Sequence, residues 1–150
     1  MRLPNTRIAV FLSLFLCAAS VNAADIQIKM LDTSPTEGMV TFEPVFIKAN
    51  INDTLVFNPV NPGHNVRSLL VPDGAQSWKS PFDKEFRVTL DKEGIYLYVC
   101  DAHKKIMSMV GVVQVGNAVN LEEAKKVVAE ESASMMMNKD RFAKALEQVQ

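Results

Sequence analysis

Short runs of alternating apolar and polar residues, separated by turn residues, fill the chain from Asp25 to Gly116. In one such run Ile95, Leu97 and Val99 fall on one face of a strand, because successive side chains of a strand point to opposite faces. Strands and turn signals at this spacing are typical of an antiparallel sandwich or barrel. The sequence therefore predicts an all-β fold for this part of the chain.

The pattern changes to a helical one after the last predicted strand. Asn120 can cap a helix over residues 121 to about 131, and Asn138 can cap a second helix. Apolar residues of the second helix recur at i, i+4 and i+7, at Phe142, Leu146 and Val149. We predict two C-terminal α-helices in an extension, 117–150, that packs on the sandwich of residues 24–116.

The N-terminal segment has the three parts of a secretory signal. Arg2 and Arg7 are followed by an almost wholly apolar run over residues 8–21, and small residues around Ala23 provide a cleavage site. The apolar run is too short to span a bilayer comfortably, and no stop-transfer pattern follows it. We predict that residues 1–23 are a signal peptide cleaved after Ala23, and that the mature chain is periplasmic and not inserted in a membrane.

The charge balance of the mature chain excludes one class of partner. Removal of the signal leaves 14 basic side chains facing 17 acidic ones, a net charge of about −3. A nucleic-acid-binding domain normally carries a basic patch and an excess of positive charge. We therefore expect no nucleic-acid partner.

Cysteine and histidine are scarce after residue 23. Cys100 is the single cysteine of the mature chain, and the two histidines are His64 and His103. An exported chain with one cysteine has no intrachain disulfide, so Cys100 is paired between molecules, buried and inert, catalytic or bound to metal. One thiolate, two imidazoles and a weak thioether form the ligand set of an electron-transfer copper site. We predict one copper ion per chain, bound by His64, Cys100 and His103.

The fourth ligand has two candidates. Met107 and Met109 both follow His103, and Met109 begins the predicted strand of residues 109–115. A ligand at the start of a strand is held in place by strand pairing. We favour Met109 and keep Met107 as the alternative.

At these motifs the mature chain resembles the pseudoazurins, type 1 copper proteins of the cupredoxin family. The similar segments are residues 39–44, 47–50, 63–66, 71–75 and 94–100. The resemblance implies an eight-stranded Greek-key β-sandwich, and the two C-terminal helices are a further feature of pseudoazurins. It also implies an electron carrier, not an enzyme, that delivers electrons to periplasmic reductases such as copper nitrite reductase.

The resemblance also implies roles for neighbours of the ligands and shows departures. Asn65 would bond across to the cysteine loop. The family usually has four residues between its second histidine and its methionine, whereas five precede Met109 and three precede Met107 here. Ala102 stands where the family often has proline, and Asp101 replaces a small hydroxyl residue. We expect the Asp101 charge to favour Cu(II) and to lower the reduction potential.

A redox partner is expected to dock where the His103 ring reaches the surface. Apolar neighbours and lysines that would steer an acidic partner are Pro62, Ile106, Met107, Lys79, Lys104 and Lys105. These lysines are equally consistent with an ordinary solvated surface. A monomer is the expected state of a carrier that diffuses between partners.

Alternative functions remain for this residue pattern. Cys100 and His103 suit a thiol hydrolase, although an exposed thiolate oxidises outside the cytoplasm. The same ligand set suits a copper carrier or storage protein that hands on the ion. The Met135–Met137 cluster is either adaptable packing or a soft-metal site.

Overall fold

Two four-stranded sheets face each other in the computed structural model, which describes residues 23–150. The strands are β1 (Asp25–Ser34), β2 (Gly38–Glu43), β3 (Phe46–Ala49), β4 (Thr54–Pro59), β5 (Arg67–Leu70), β6 (Phe86–Thr89), β7 (Gly94–Val99) and β8 (Val110–Val115). The sheet orders are β2-β1-β4-β6 and β3-β8-β7-β5. Neighbouring strands are antiparallel except for the pairs β1–β4 and β3–β8. The predicted all-β sandwich is confirmed; most of the predicted signal peptide, residues 1–22, lies outside the described residues.

Within residues 23–150 three helices accompany the sheets: α1 (Lys104–Met107), α2 (Leu121–Ser134) and α3 (Arg141–Leu146). The two C-terminal helices are confirmed, whereas the short α1 was not predicted. None of the helices in the described part of the chain is long and apolar enough to cross a membrane.

Neither predicted cap forms with a side-chain hydrogen bond. Asn120 does precede α2, but its Oδ1 accepts from the Ile95 N–H at 2.7 Å and its Nδ2 donates to the Ile95 carbonyl at 3.0 Å. Asp140, not Asn138, precedes α3, and Asn138 has a positive φ of 48°. The tertiary structure places the main-chain N–H and carbonyl of Ile95 opposite Asn120. The Asn120 side chain therefore joins the start of α2 to β7.

Apolar residues form two layers, one on each face of the second sheet. Tyr96 and Tyr98 of β7 lie in the cluster between the sheets, whereas Ile95, Leu97 and Val99 lie in the cluster that α2 and α3 cover. Every residue of β7 is buried for this reason. The alternation seen in the sequence is confirmed, and the helices explain why both faces are apolar.

The packing between the sheets depends on a glycine. Tyr98 contacts Phe42 and Phe57 in edge-on arrangements with ring centroids 4.9 and 5.1 Å apart. Gly111 pairs with Tyr98 across the β7–β8 ladder, and a Cβ at position 111 would lie 2.2 Å from Tyr98 Cζ. A side chain at this position would displace the tyrosine ring from the core.

One end of the sandwich collects the candidate ligands. His64 lies in the connection from β4 to β5, and Cys100 directly follows β7. His103 and Met109 lie in the connection from β7 to β8, which are neighbouring antiparallel strands. Chain positions up to 45 residues apart therefore meet at the same edge of the fold.

Candidate metal centre

Three of the predicted ligands converge. The Cys100 Sγ lies 4.0 Å from His64 Nδ1 and 3.4 Å from His103 Nδ1. The donor atoms of these three residues all lie within 4.8 Å of one another. Such separations suit a single transition-metal ion, because these ions bind thiolate sulfur and imidazole nitrogen at about 2.0 to 2.3 Å. Two imidazoles that present the same nitrogen to one thiol fit a copper ion of the thiolate–imidazole type.

The loop that carries His64 is held by one carboxylate. Asp83 Oδ1 accepts from the N–H groups of Gly63 and His64 at 2.6 and 3.1 Å, and the Asp83 N–H donates to the His64 carbonyl. Gly63 has a φ of 90°, a conformation that favours glycine. The motif Gly63-His64 is therefore a turn shaped to deliver an imidazole to the site.

The other nitrogen of His64 has a partner of its own. Its Nε2 lies 3.0 Å from Asp32 Oδ1, on β1. The His64 side chain is completely buried, whereas the Asp32 side chain is 60% exposed. The imidazole therefore connects the buried donor cluster to a carboxylate at the surface.

The turn after Cys100 is closed by main-chain bonds. The N–H groups of His103 and Lys104 donate to the Cys100 carbonyl at 3.2 and 2.8 Å. Asn65 joins this turn to the His64 loop, because its Oδ1 accepts from the Asp101 N–H at 2.9 Å and its Nδ2 donates to the Asp101 carboxylate at 3.1 Å. The bond that the resemblance implied for Asn65 is confirmed.

The Asp101 carboxylate is paired with two cations. Arg67 Nε donates to it at 2.7 Å, and Lys79 Nζ lies 2.9 Å away. Burial alone would raise the pKa of Asp101, but the hydrogen bonds from Arg67, Lys79 and Asn65 hold this pKa well below its usual range. The carboxylate beside the thiol is therefore ionised, and its charge is offset by its partners.

Two groups of the metal-free site are shifted toward their neutral forms, the Cys100 thiol and the partly exposed His103 imidazole. Burial raises the pKa of the Cys100 thiol, and backbone hydrogen bonds oppose this only in part. Burial and the neighbouring His64 lower the pKa of His103. A catalytic cysteine needs a pKa shifted the opposite way, toward thiolate, so the raised pKa of Cys100 disfavours the thiol-hydrolase alternative. Copper binding to this thiol would release its proton.

The two methionine candidates differ in their surroundings. Met109 is completely buried in the same cluster as Cys100, and its carbonyl accepts from the Cys100 N–H at 3.0 Å. It lies just before β8, which begins at Val110, so the expectation that Met109 starts this strand is wrong by one residue. Met107 is only partly buried, at the end of α1. The main-chain bond to Cys100 therefore holds Met109 next to that residue, although Met109 lies just outside the strand.

An arginine ties the ligand loop to the C-terminal helices. The Arg141 guanidinium, at the start of α3, donates to five main-chain carbonyl oxygens, those of Glu37, Met39, Val40, Met107 and Ser108. Asp32, Asp83 and Arg141 were not found from the sequence. Each lies 19 to 104 residues from its partner, and no local pattern marks it.

Exposed apolar residues lie on the segments next to the partly exposed His103: the His64 loop, α1 and the chain that bonds to α1. Pro62 is exposed, and more than half of each side chain of Ile106, Met136 and Met137 is exposed. The Met136 and Met137 N–H groups donate to carbonyls of α1, whereas Met135 is buried in the core under the helices. In the Met135–Met137 cluster, Met135 therefore packs in the core, whereas Met136 and Met137 lie at the surface.

Two of the three lysines expected near the site have acidic partners. Lys79 pairs with Asp101, and Lys104 pairs with Glu131 at 2.9 Å. Within residues 23–150, Lys105 forms no ion pair, and it is exposed. Lys105 is therefore the lysine of this group whose charge is free to meet a partner.

Comparison with known proteins gives a consistent assignment. Residues 29–116 match the family of copper binding proteins of the plastocyanin/azurin type. The chain is 39% identical over 108 residues to the pseudoazurin of Methylorubrum extorquens, covering 70% of this chain and 72% of that one. It is 37% identical over 116 residues to the pseudoazurin of Paracoccus pantotrophus, covering 75% and 79%.

A solved structure agrees with the sequence comparisons. The crystal structure of native pseudoazurin from Hyphomicrobium denitrificans superimposes with a TM-score of 0.75 at 30% identity, over 84% of this chain and 98% of that one. The Cys–His donor cluster lies at the end of the matched sandwich. The chain belongs to the plastocyanin/azurin family of copper-binding proteins, and within it to the pseudoazurins.

Proposed function

We propose that this protein is a periplasmic carrier of single electrons, with one type 1 copper ion bound by His64, Cys100, His103 and Met109. The observation that carries the proposal is the convergence of one thiol and two Nδ1 atoms within 4.8 Å at the end of a sandwich. Thiolate and thioether are soft ligands that favour Cu(I), whereas imidazole accepts Cu(II). The mixed set serves both oxidation states without a change of ligands.

Rigidity of the site supports electron transfer. The His64 loop is fixed by Asp83, and the cysteine turn is fixed by Asn65 and its own main-chain bonds. Ligands held this way move little when the copper ion gains or loses an electron, so little energy is needed to reorganise them. Met109 is preferred to Met107 because it is buried beside Cys100.

The surface around His103 supports a docking site for a redox partner. His103 is partly exposed, whereas His64, Cys100 and Met109 are buried. Exposed apolar side chains next to it suit a small and short-lived contact, as redox encounters require. The free charge of Lys105 would steer an acidic partner. We propose that this partner is a reductase such as nitrite reductase, and that the carrier acts as a monomer.

Export follows from the N-terminal sequence and agrees with the start of the fold. β1 begins at Asp25, two residues after the proposed cleavage position, and the Ala24 N–H donates to Asp53 at 2.8 Å. A signal peptide that ends at Ala23 would therefore leave the first strand intact. Mass spectrometry of the protein from the periplasmic fraction should find Ala24 at its N-terminus; a retained signal segment would contradict export by cleavage.

The first test is the visible and EPR spectrum of the mature protein with one equivalent of Cu(II). A type 1 centre gives an intense thiolate-to-copper band and a narrow copper hyperfine splitting. Met109→Leu should change both signals, and Met107→Leu, the matched control, should leave them unchanged. A pale spectrum with ordinary splitting would favour the copper carrier or storage function. Rapid transfer of the ion to a chelator, without reversible redox cycling, would support that function further.

A further inference from the structure

His64 lies between the metal position and a surface carboxylate. Its Nδ1 is 4.0 Å from Cys100 Sγ, and its Nε2 is 3.0 Å from Asp32 Oδ1. The ring is completely buried, so Nε2 meets the carboxylate rather than bulk water. A hydrogen bond in this position requires the proton on Nε2, which leaves the lone pair of Nδ1 directed at the metal.

The position of Asp32 is determined by the fold. The Asp32 N–H donates to Asn61 Oδ1 at 2.9 Å, and the N–H groups of Val60 and Asn61 donate to the Met30 carbonyl. These bonds join β1 to the segment immediately before the Gly63-His64 turn. The carboxylate and the imidazole are thus held by the same junction of strand and loop.

Three carboxylates lie close to the ligands, and their partners differ. Asp83 accepts from main-chain N–H groups of the His64 turn. Asp101 is paired with Arg67 and Lys79. Asp32, in the part of the chain that the structure describes, forms no ion pair with a lysine or an arginine, and its side-chain partner is the His64 ring. Asp32 is therefore the carboxylate that contacts the side chain of a ligand without a lysine or arginine to offset its charge.

A carboxylate on the outer nitrogen of a ligating histidine has known physical effects. It fixes the tautomer and the orientation of the ring, and it raises the basicity of the ligating nitrogen. Bonds to an ionised acceptor are stronger than bonds to a neutral one. A more basic imidazole and an uncompensated negative charge both stabilise Cu(II) more than Cu(I).

We propose that Asp32 is a positioning residue for the copper centre, and that this carboxylate, rather than Asp101, lowers its reduction potential. The inference rests on the proposed copper site. The sequence suggested that Asp101 lowers the reduction potential, and this effect is now assigned to Asp32 of β1.

The test separates charge from hydrogen bonding at Asp32. Asp32→Asn keeps an oxygen acceptor for Nε2 and removes the charge, whereas Asp32→Ala removes both. Asp73→Asn is the charge-matched control, because Asp73 is exposed and lies next to Pro72, which packs on Gly94 at the far end of β7 from Cys100. The midpoint potential is measured for each copper-loaded protein, and the His64 tautomer is measured by 15N NMR in the metal-free proteins.

We expect Asp32→Asn to reduce the ratio of Cu(II) to Cu(I) affinity by about tenfold. For a one-electron couple this is a rise of about 59 mV in the midpoint potential. Asp101→Asn should give less than half of that rise, and Asp73→Asn none. In metal-free protein, Asp32→Asn should keep the Nε2–H tautomer of His64, and Asp32→Ala should lose it.

Two results would overturn the assignment: an unchanged potential in Asp32→Asn, or a rise in Asp101→Asn that equals or exceeds it. An unchanged tautomer in Asp32→Ala would overturn the positioning role. Failure of the proposed function is a separate outcome, because it is seen as a missing type 1 spectrum in the wild-type protein. The tautomer measurement still decides the positioning role in that case, since it needs no copper.

Discussion

Removal of the Arg141 guanidinium should loosen the ligand loop and the C-terminal helices together. Nη1 donates to the carbonyls of Val40, Met107 and Ser108 at 2.9 to 3.2 Å, and Nη2 donates to those of Glu37 and Met39 at 3.0 to 3.1 Å. These five bonds connect the β1–β2 turn and the first part of β2, the end of α1 and the start of α3. We choose Arg141→Met, which keeps much of the aliphatic stem and removes all donors.

The expected loss of stability depends on which of the five carbonyls water can reach once the guanidinium is removed. Ser108 is completely buried, so its carbonyl would lose a charge-assisted bond worth about 2 kcal/mol. The other four acceptors belong to partly buried or exposed residues, and we expect about 0.5 kcal/mol from each. The free energy of unfolding should therefore fall by about 4 kcal/mol, which lowers Tm by roughly 10 to 15 °C in a chain of this size.

Urea unfolding of the metal-free protein measures this loss, and Arg87→Met is the matched control. Arg87 forms ion pairs with Asp25 and Glu85 at an exposed position, so its removal should cost less than about 1 kcal/mol. The copper-loaded Arg141→Met protein should also show an altered visible spectrum, because the main chain before Met109 is released. A loss below 1 kcal/mol, or an equal loss in the control, would refute the reasoning.

Three further substitutions test the packing and the ionic network. Gly111→Ala should destabilise the fold by at least about 3 kcal/mol, because its Cβ would lie 2.2 Å from Tyr98 Cζ; thermal unfolding would reveal this, and a Tm close to wild type would contradict it. Asn120→Ala should cost about 1 to 2 kcal/mol in urea unfolding, since it leaves both peptide groups of Ile95 without their partner, and a change below 0.3 kcal/mol would count against this role. Its hydrogen-bond partners hold the pKa of Asp101 in the folded protein below its usual range. Its contribution to the free energy of unfolding is therefore fully present above about pH 4, and it is lost as the pH falls through the lower pKa of the folded state. Asp101→Asn should therefore be less stable than wild type by about 1 to 2 kcal/mol at pH 7, with a difference that narrows below about pH 4; a difference that is constant between pH 7 and pH 3 would contradict the ionic role.

Local chemistry was predictable from the sequence. The alternation in β7 indicates a strand, and Cys100 and His103 are close because only two residues separate them. Scarcity also helped, since the chain after residue 23 has two histidines and one cysteine, which leave few ways to build a metal site. Resemblance to the pseudoazurins added the role of Asn65, which no spacing rule predicts.

Contacts between distant segments were decided by the tertiary structure. Asn120 has the sequence features of a helix cap, but the fold places the Ile95 peptide group within reach of its side chain. From the sequence Asp101 is expected to carry an uncompensated charge, but in the fold Arg67 and Lys79 form ion pairs with it. Local propensity cannot predict these outcomes, because a polar side chain binds whichever partner the packing brings nearest.

The sequence by itself predicted a β-sandwich with a thiolate and two imidazoles for copper. The tertiary structure decided what surrounds them: Asp32 on His64 and Arg141 on the loop before Met109. Ligand type is a property of single residues and short spacings, and it can be read along the chain. The setting of a ligand depends on groups 19 or more residues away in sequence, and only the packed sheets and helices bring those groups within hydrogen-bond distance.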